Sequence, residues 1–367
     1  TRTGESVSSD THANNRGPYF APEAAFTKRI GSWTLGVGAF AQGGLGVEYG
    51  NGSFLSRDVA DQPTGLANSS RLLVLNIPFA ASFQATDKLT IAGSIDAMWQ
   101  GLNLNLLLGA DQVGSLIGAG RVNGSLVPVL GGLPDLRGAH FSLTKNQPLA
   151  SGVDSWGVGG RLGLVYKATP DTTLGASYTF KSSMGDMEGN ATLTAVDALA
   201  GQIPLNGKIK IIDFQMPAHL ELGVSHRVTP QWTVAADLSQ VFWKSVMQNI
   251  NVAFVADNGA NINILLPQDY KDQTILALGT AYVVNDNWTL RGGLRFATQA
   301  LRSSTLFAVI PATPSKHLSL GLSYKVSPTS RIDFAYSHAL REKMSNSSLP
   351  NTSEPIEVKH AQNNATL

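Results

Sequence analysis

The sequence predicts an all-β protein built as one transmembrane antiparallel β-barrel, and three observations carry that expectation. The chain of 367 residues is 43% hydrophobic yet only 14% charged, against about 25% charged in an ordinary soluble domain. Its apolar residues recur at every second position over many runs of ten residues or more. An average strand in a globular sheet has ~5 to 6 residues, whereas a tilted strand needs ~9 to 11 to cross a bilayer. The runs are joined alternately by two to six residues and by long excursions, the pattern of short periplasmic turns and longer outer loops in outer-membrane barrels.

The run DNWTLRGGLRF illustrates the alternation. One face carries Trp288, Leu290, Gly292, Leu294 and Phe296, and the other carries Thr289, Arg291, Gly293 and Arg295. Successive strand side chains point to opposite faces, so these two faces meet different media. GSWTLGVGAF, PQWTVAADLSQVF, DKLTIAGSIDAMW and DTTLGASYTFK repeat the device, each just after a turn-forming cluster. In SWT, QWT and NWT the Trp falls within two residues of the short turn, where an interfacial aromatic girdle sits. The uneven spacing of the copies points to alternate strands of one sheet, not to a solenoid or propeller.

In order, the expected strands form hairpins. Pro18–Arg29 and Trp33–Gln42 flank GS; Arg71–Ala85 and Lys88–Asn105 flank ATDK; Ser155–Ala168 and Thr172–Lys181 flank ATPD. Lys208–Val228 and Gln231–Val255 flank VTPQ; Gln273–Val284 and Asn287–Thr298 flank VNDN; His317–Val326 and Ser330–Leu340 flank VSPTS. Pro78 and Pro217 fall inside two of these strands and imply a bulge, kink or strand edge, because proline lacks the ladder donor. Asp96, Arg161, Glu221, Asp237, Arg291 and Arg295 lie on polar faces and are expected to line the lumen.

Two excursions are apolar. Residues 104–146 are rich in Leu, Val, Ile and Gly, with Val113, Leu116 and Ile117 at the three-and-four spacing of a short helix. Residues 185–207 contain TAVDALAGQIPL, which suggests a helical turn. Large exposed apolar patches mark binding surfaces; packing of the two loops into a cap is the other reading.

Composition excludes several functions. Net charge is +1, from 27 basic and 26 acidic residues, which gives no electrostatic case for nucleic acid. There is no cysteine, hence no disulfide, thiol catalysis or thiolate metal site. No stretch reaches the ~18 apolar residues of a membrane helix. The chain opens at Thr1 without a charged-then-apolar leader and closes on EVKHAQNNATL, so both termini are expected to continue in a longer protein. No metalloprotease, nucleophile-elbow, phosphate-loop or dinucleotide motif is present, and no metal or cofactor is expected. The glycine-rich GVGGRLG lies within a strand pattern. His219 and Glu221, two apart on one face, form a lumen-facing polar pair rather than a catalytic set. Periodicity alone does not say which face is inside, so a soluble antiparallel barrel or sandwich stays open at this point. Twelve long strands would give a small soluble barrel more apolar surface than it can enclose.

Laid out as strand, short turn, strand, QMPAHLELGVSHRVTPQWTVAADLSQVFWKSV (Gln215–Val246) and YKDQTILALGTAYVVNDNWTLRGGLRF (Tyr270–Phe296) resemble the FadL/TodX family of outer-membrane transport proteins. The M-P-x-x-L-E-L-G, P-Q-W and D-N-W-T-L-R-x-G runs carry the likeness, and IPATPSKHLSLGLSYKV with RIDFAYSHAL matches more loosely. The resemblance implies a monomeric barrel of about fourteen strands in the bacterial outer membrane, with an N-terminal hatch, a first strand and a complete last strand that are not visible here. It also implies passage of hydrophobic molecules, long-chain fatty acids or aromatic hydrocarbons, from a groove between long loops into the barrel and sideways through the wall. Leu106, Leu107, Leu108, Val113, Leu116, Ile117, Val127, Val129 and Leu130 are the expected landing groove. Leu106 and Leu266 occupy the places where the fatty-acid branch keeps basic residues, and FATQALRSS departs from the family pattern. A general porin for polar solutes and an outer-membrane hydrolase are the alternatives.

Overall fold

The computed structural model describes residues 21, 23–143, 152–310, 312–346 and 356–367. Its elements are β1 (Ala24–Ile30), β2 (Trp33–Gly50), β3 (Asn68–Gln84), β4 (Leu89–Gly109), α1 (Ala110–Gly118), β5 (Val122–Asn123), α2 (Leu126–Gly131) and β6 (Leu136–Leu143). There follow β7 (Asp154–Lys167), β8 (Thr172–Thr179), β9 (Ser183–Met184), β10 (Met187–Asp197), β11 (Gly201–Ile212), β12 (His219–Arg227), β13 (Trp232–Val241) and β14 (Asn249–Ala256). The last are β15 (Asn261–Pro267), β16 (Gln273–Val283), β17 (Trp288–Ala297), β18 (Lys316–Ser327), β19 (Ser330–Asn346) and β20 (Ile356–Thr366). Among the described residues no helix is long and apolar enough to cross a membrane.

Antiparallel pairing builds the barrel wall in the order β1, β2, β3, β4, β7, β8, β12, β13, β16, β17, β18, β19, β20. The six hairpins expected from sequence are present among the described residues, each closed by its short turn at one end of the wall; residues 18–20 and 22 of the expected strand Pro18–Arg29 lie outside the described residues, and its described part holds β1. The alternation resolves as two environments. On β4, Ile95 is 72% exposed and its neighbour Asp96 only 5%, because one points to the outside of the wall and the other into it. The outward face carries Leu162, Leu222, Leu238, Leu278, Leu290 and Leu320, all exposed. An apolar band of this extent would be costly in water and is at ease in lipid. Near the short turns the band ends in aromatic rings: Trp33 lies 4.8 Å from Phe83 and Trp288 4.5 Å from Tyr324, centroid to centroid, and the Trp232 indole N–H donates to Thr280 Oγ1 at 2.7 Å.

Three sequence expectations are corrected. Lys208–Val228 is two strands, β11 and β12, separated by a turn in which Asp213 adopts φ 52° and Gln215 is buried; Pro217 sits in this break and not in a strand. Gln231–Val255 likewise divides into β13 and β14 around a short 3₁₀ turn at Trp243–Ser245. Residues 185–207 hold no helix: TAVDALAGQIPL is strand, tight turn at Ala198–Ala200, and strand.

These corrections have a common cause, a branch of the same sheet at the long-loop end of the wall. β4 pairs with β7 from Leu89 to Gly101, then with β6 from Leu104 to Gly109. From there the sheet continues through β10, β11, β14 and β15 to β5. The loops therefore fold into a cap with a hydrophobic core of its own. Leu143, Leu193, Ile211 and Phe254 are at most 1% exposed, and each such side chain contributes about 1.5–3 kcal/mol by leaving water.

Candidate functional site: an apolar cap over a polar lumen

The cap core grows from cross-strand rows. Leu106 on β4 stands opposite Phe141 on β6, Phe141 opposite Leu193 on β10, and Leu193 opposite Leu205 on β11. Above them α1 and α2 lay down Val113, Leu126 and Leu130, all buried in the same cluster. The structure thus gathers eight of the ten sequence-selected ligand residues: Leu108, Val113, Leu130 and Leu266 are buried in the core, and Leu106, Leu116, Ile117 and Val127 are half-buried against it. The other two lie elsewhere. Leu107, buried but outside that cluster, alternates to the opposite face of β4, and Val129 is 57% exposed on α2. Sequence reasoning missed Phe141, Leu193, Phe254 and Ile264, which the branch of the sheet brings to the same cluster.

Polar groups of the cap are locally satisfied. The Asp197 carboxylate accepts N–H bonds from Ala200, Leu199 and Asp135, and these donors hold its pKa below the usual carboxylate range, with the Arg137 guanidinium adding to the effect. Burial pushes the His140 imidazole down from its ordinary 6.5 while its Nε2, 2.8 Å from the carbonyl of Ala67, keeps a partner. Tyr270, stacked edge-on with Trp243 at 6.0 Å, has its phenol pushed up to about 12 by burial. Among the described residues no lysine or arginine is buried.

Below the cap the inward face turns polar, as the alternation predicts. Asp96, Arg161, Glu221, Asp237, Arg291 and Arg295 all lie on the face opposite the exposed apolar rows. Arg161 Nε donates to Thr179 Oγ1 at 2.9 Å, and Glu221 accepts from Ser177 Oγ at 2.9 Å while standing 2.9 Å from His219 Nε2. Arg291 joins Ser323 and Asp333 in a further group. The His219–Glu221 pair is embedded in this lining; the serine it meets, Ser177, donates to Glu221 and not to His219, so its bonds hold no serine–histidine pair. Among the described residues no group of three metal-ligating side chains forms.

One place in the wall departs from regular pairing. The β2–β3 ladder pairs Val37 with Phe79 and resumes at Phe40 with Asn76, leaving Gly38 and Ala39 unpaired with Pro78 and Ile77; a bulge follows at Ala41/Gly43. Pro78 supplies no N–H there, while on its other side it stands in register with Asp96 of β4. The Phe40 ring folds over Gly38, so close that a Cβ there would lie 2.4 Å from it. The absence of a side chain at Gly38 is what leaves room for the ring.

With this geometry in view, comparison with known proteins is specific. A family model described as outer membrane protein transport protein (OMPP1/FadL/TodX) matches residues 2–365. The structure of the Pseudomonas putida toluene transporter TodX superposes with a TM-score of 0.86 at 43% identity, covering 95% of this chain and 81% of that one. The Ralstonia pickettii toluene transporter TbuX gives 0.81 at 44% identity, with 97% and 82% covered. A long-chain fatty acid transport protein of Escherichia coli is 27% identical over 257 residues, 65% of this chain and 55% of the relative; the chain therefore spans little more than half of that protein's length. The wall, the apolar cap and these matches together lead to one conclusion: the chain belongs to the OMPP1/FadL/TodX family of outer membrane transport proteins.

Proposed function

We propose that the protein is a passive, monomeric channel for hydrophobic small molecules of the monoaromatic hydrocarbon class. The observation that carries this reading is the cap core itself, an apolar cluster at the mouth of the barrel without a buried lysine or arginine among the described residues. A fatty acid entering this core would bring a carboxylate with no buried cation to meet it, and an unpaired buried charge is expensive. A toluene-like ligand brings none. Leu106 and Leu266, at the positions where the resemblance places basic residues in the fatty-acid branch, both belong to that apolar surround. Toluene transporters are 41–44% identical to this chain, which supports the same choice.

Capture needs no covalent chemistry, metal or nucleotide. Transfer of apolar area out of water contributes about 25 cal/mol per Å², and movement from loops to lumen to lipid follows the ligand's own gradient. The unpaired stretch at Gly38–Ala39 and Ile77–Pro78 is the place we assign to sideways release. The test uses a strain without its own hydrocarbon or fatty-acid channel, comparing uptake of labelled toluene and labelled oleate. Toluene uptake above empty vector, with oleate at background, is the expected result. Oleate uptake equal to that of toluene would overturn the hydrocarbon assignment, and a water-filled pore of high single-channel conductance would overturn the hydrophobic channel.

A further inference from the structure

The lumen face beside the wall interruption carries an unusual set of side-chain atoms. Descending β4 from the cap, Gln100, Met98 and Asp96 point inward in turn, with 0%, 4% and 5% of their surfaces exposed. On β3 they are flanked by Val74, Asn76 and Pro78, and on β7 by Ser155, Gly157 and Gly159. The donors of this group are already used. Asn76 Nδ2 donates to Asp96 Oδ2 at 3.1 Å, and Gln100 Nε2 donates to Ser155 Oγ at 3.2 Å and to the Phe214 carbonyl at 2.9 Å. What remains are three buried oxygens without a donor: Asn76 Oδ1, Asp96 Oδ1 and Gln100 Oε1.

Buried acceptors left unmade cost free energy, and the side-chain bond of Asp96 runs to Asn76, not to a cation. The set is therefore one-sided: it can receive a hydrogen bond and give none. Its surroundings are soft and apolar. Met98, Met184 and Val74 form a small cluster with Leu72 and Met216 directly below the cap core, and the thioethers of Met98 and Met184 lie over the bare backbone of Gly159 and Gly157. Methionine is adaptable and makes favourable contacts with aromatic rings. A ring sliding among thioethers toward Pro78 would bring a substituent to the oxygens of Asn76 and Asp96.

We propose that this station binds phenols, aromatic rings bearing a hydroxyl, with the phenolic O–H donating to the Asp96 carboxylate beside Asn76. The inference rests on the transport reading for its route and extends that reading to a second ligand class. A hydrocarbon leaves the acceptors empty and a carboxylate ligand brings only further acceptors; a phenol supplies the missing donor. Sites built to hydrogen-bond a hydroxyl discriminate strongly against the analogue that lacks it.

The test compares p-cresol with toluene, which differ by one hydroxyl, in equilibrium dialysis with the purified detergent-solubilised chain. The wild type is expected to bind p-cresol about ten-fold more tightly than toluene, a ratio typical of one hydrogen bond to a charged group. In Asp96→Leu the preference should vanish while toluene binding persists, and Asp96→Asn should retain part of it. Asn76→Leu serves as a second variant if Asp96→Leu fails to fold, and it should also lower the ratio. Equal affinities in the wild type, or a preference that survives both leucine variants, would overturn the proposal. The ratio is read on purified protein, so it stands or falls separately from toluene uptake in cells, which tests the transport reading.

Discussion

Phe141 on β6 and Phe254 on β14 meet edge to face, their ring centroids 6.5 Å apart at 86°, although the wall strands β7, β8, β12 and β13 lie between them in the chain. The contact joins the two halves of the cap core. Truncating a fully buried phenylalanine costs about 3–5 kcal/mol, so Phe254→Ala is expected to loosen the cap while the wall persists. Hydrogen exchange should report faster exchange in β10, β11 and β14 and unchanged protection in β12, β13 and β16. Uniform loss of protection would mean that cap and wall melt as one unit.

Leu116 and Ile117 offer a gentler probe of capture. Both are half-buried on α1 against the cap core, so polar replacements there alter the mouth more than the fold. The double variant Leu116→Asp, Ile117→Asp should insert normally and lower uptake of labelled toluene by about ten-fold or more, since one stranded polar group in an apolar site costs 1 to 3 kcal/mol. Unchanged uptake by a correctly inserted variant would remove α1 from the landing surface.

Pro78 tests sideways release. Pro78→Val supplies the missing N–H and a β-branched side chain suited to a strand, which favours completion of pairing with Gly38 and Ala39. Slower toluene uptake with higher thermal stability is the expected combination. Stability gained without any change in uptake would move the exit elsewhere.

His140 gives the cap a pH response whose sign follows from burial. Its folded pKa lies below 6.5, so below that pH the unfolded cap binds a proton that the folded cap resists. Stability is then complete above about pH 6.5 and is lost as pH falls toward the folded value. Protection of β6 amides should therefore decline between pH 7.5 and 5, and His140→Gln should flatten the decline. The Asp197 carboxylate, whose pKa is pulled below 3.8, acts in a separate, more acidic window.

The wall was legible in the sequence because lipid on one side and a polar lumen on the other impose a strict period of two. Leu290 and Arg291 differ in kind because their surroundings do. On β10 of the cap both sheet faces are covered, and the signal disappears: Leu193, Ala195 and Val196 are all buried, so apolar residues fill adjacent positions and imitate a helix. The break after β11 left only a faint trace, Asp213 at positive φ and Pro217 beyond it. Of the residues expected to line the lumen, Asp96 is buried beside the exposed Ile95, as its place in the alternation predicts for the strand face alone. Alternation could not find the spare oxygens of Asn76 and Gln100, since which acceptors lack partners is decided by contacts across three strands.

β4 is where the sheet branches, its first residues paired with β7 and its last with β6, so local and remote contacts meet on one strand. Wall hairpins such as β16–β17 close locally, whereas β5 waits for β15, with Asn123 pairing to Asn263. Contacts so remote in sequence form slowly, because loop closure must precede them. The local wall hairpins can therefore pair before the remote contact between β5 and β15 forms.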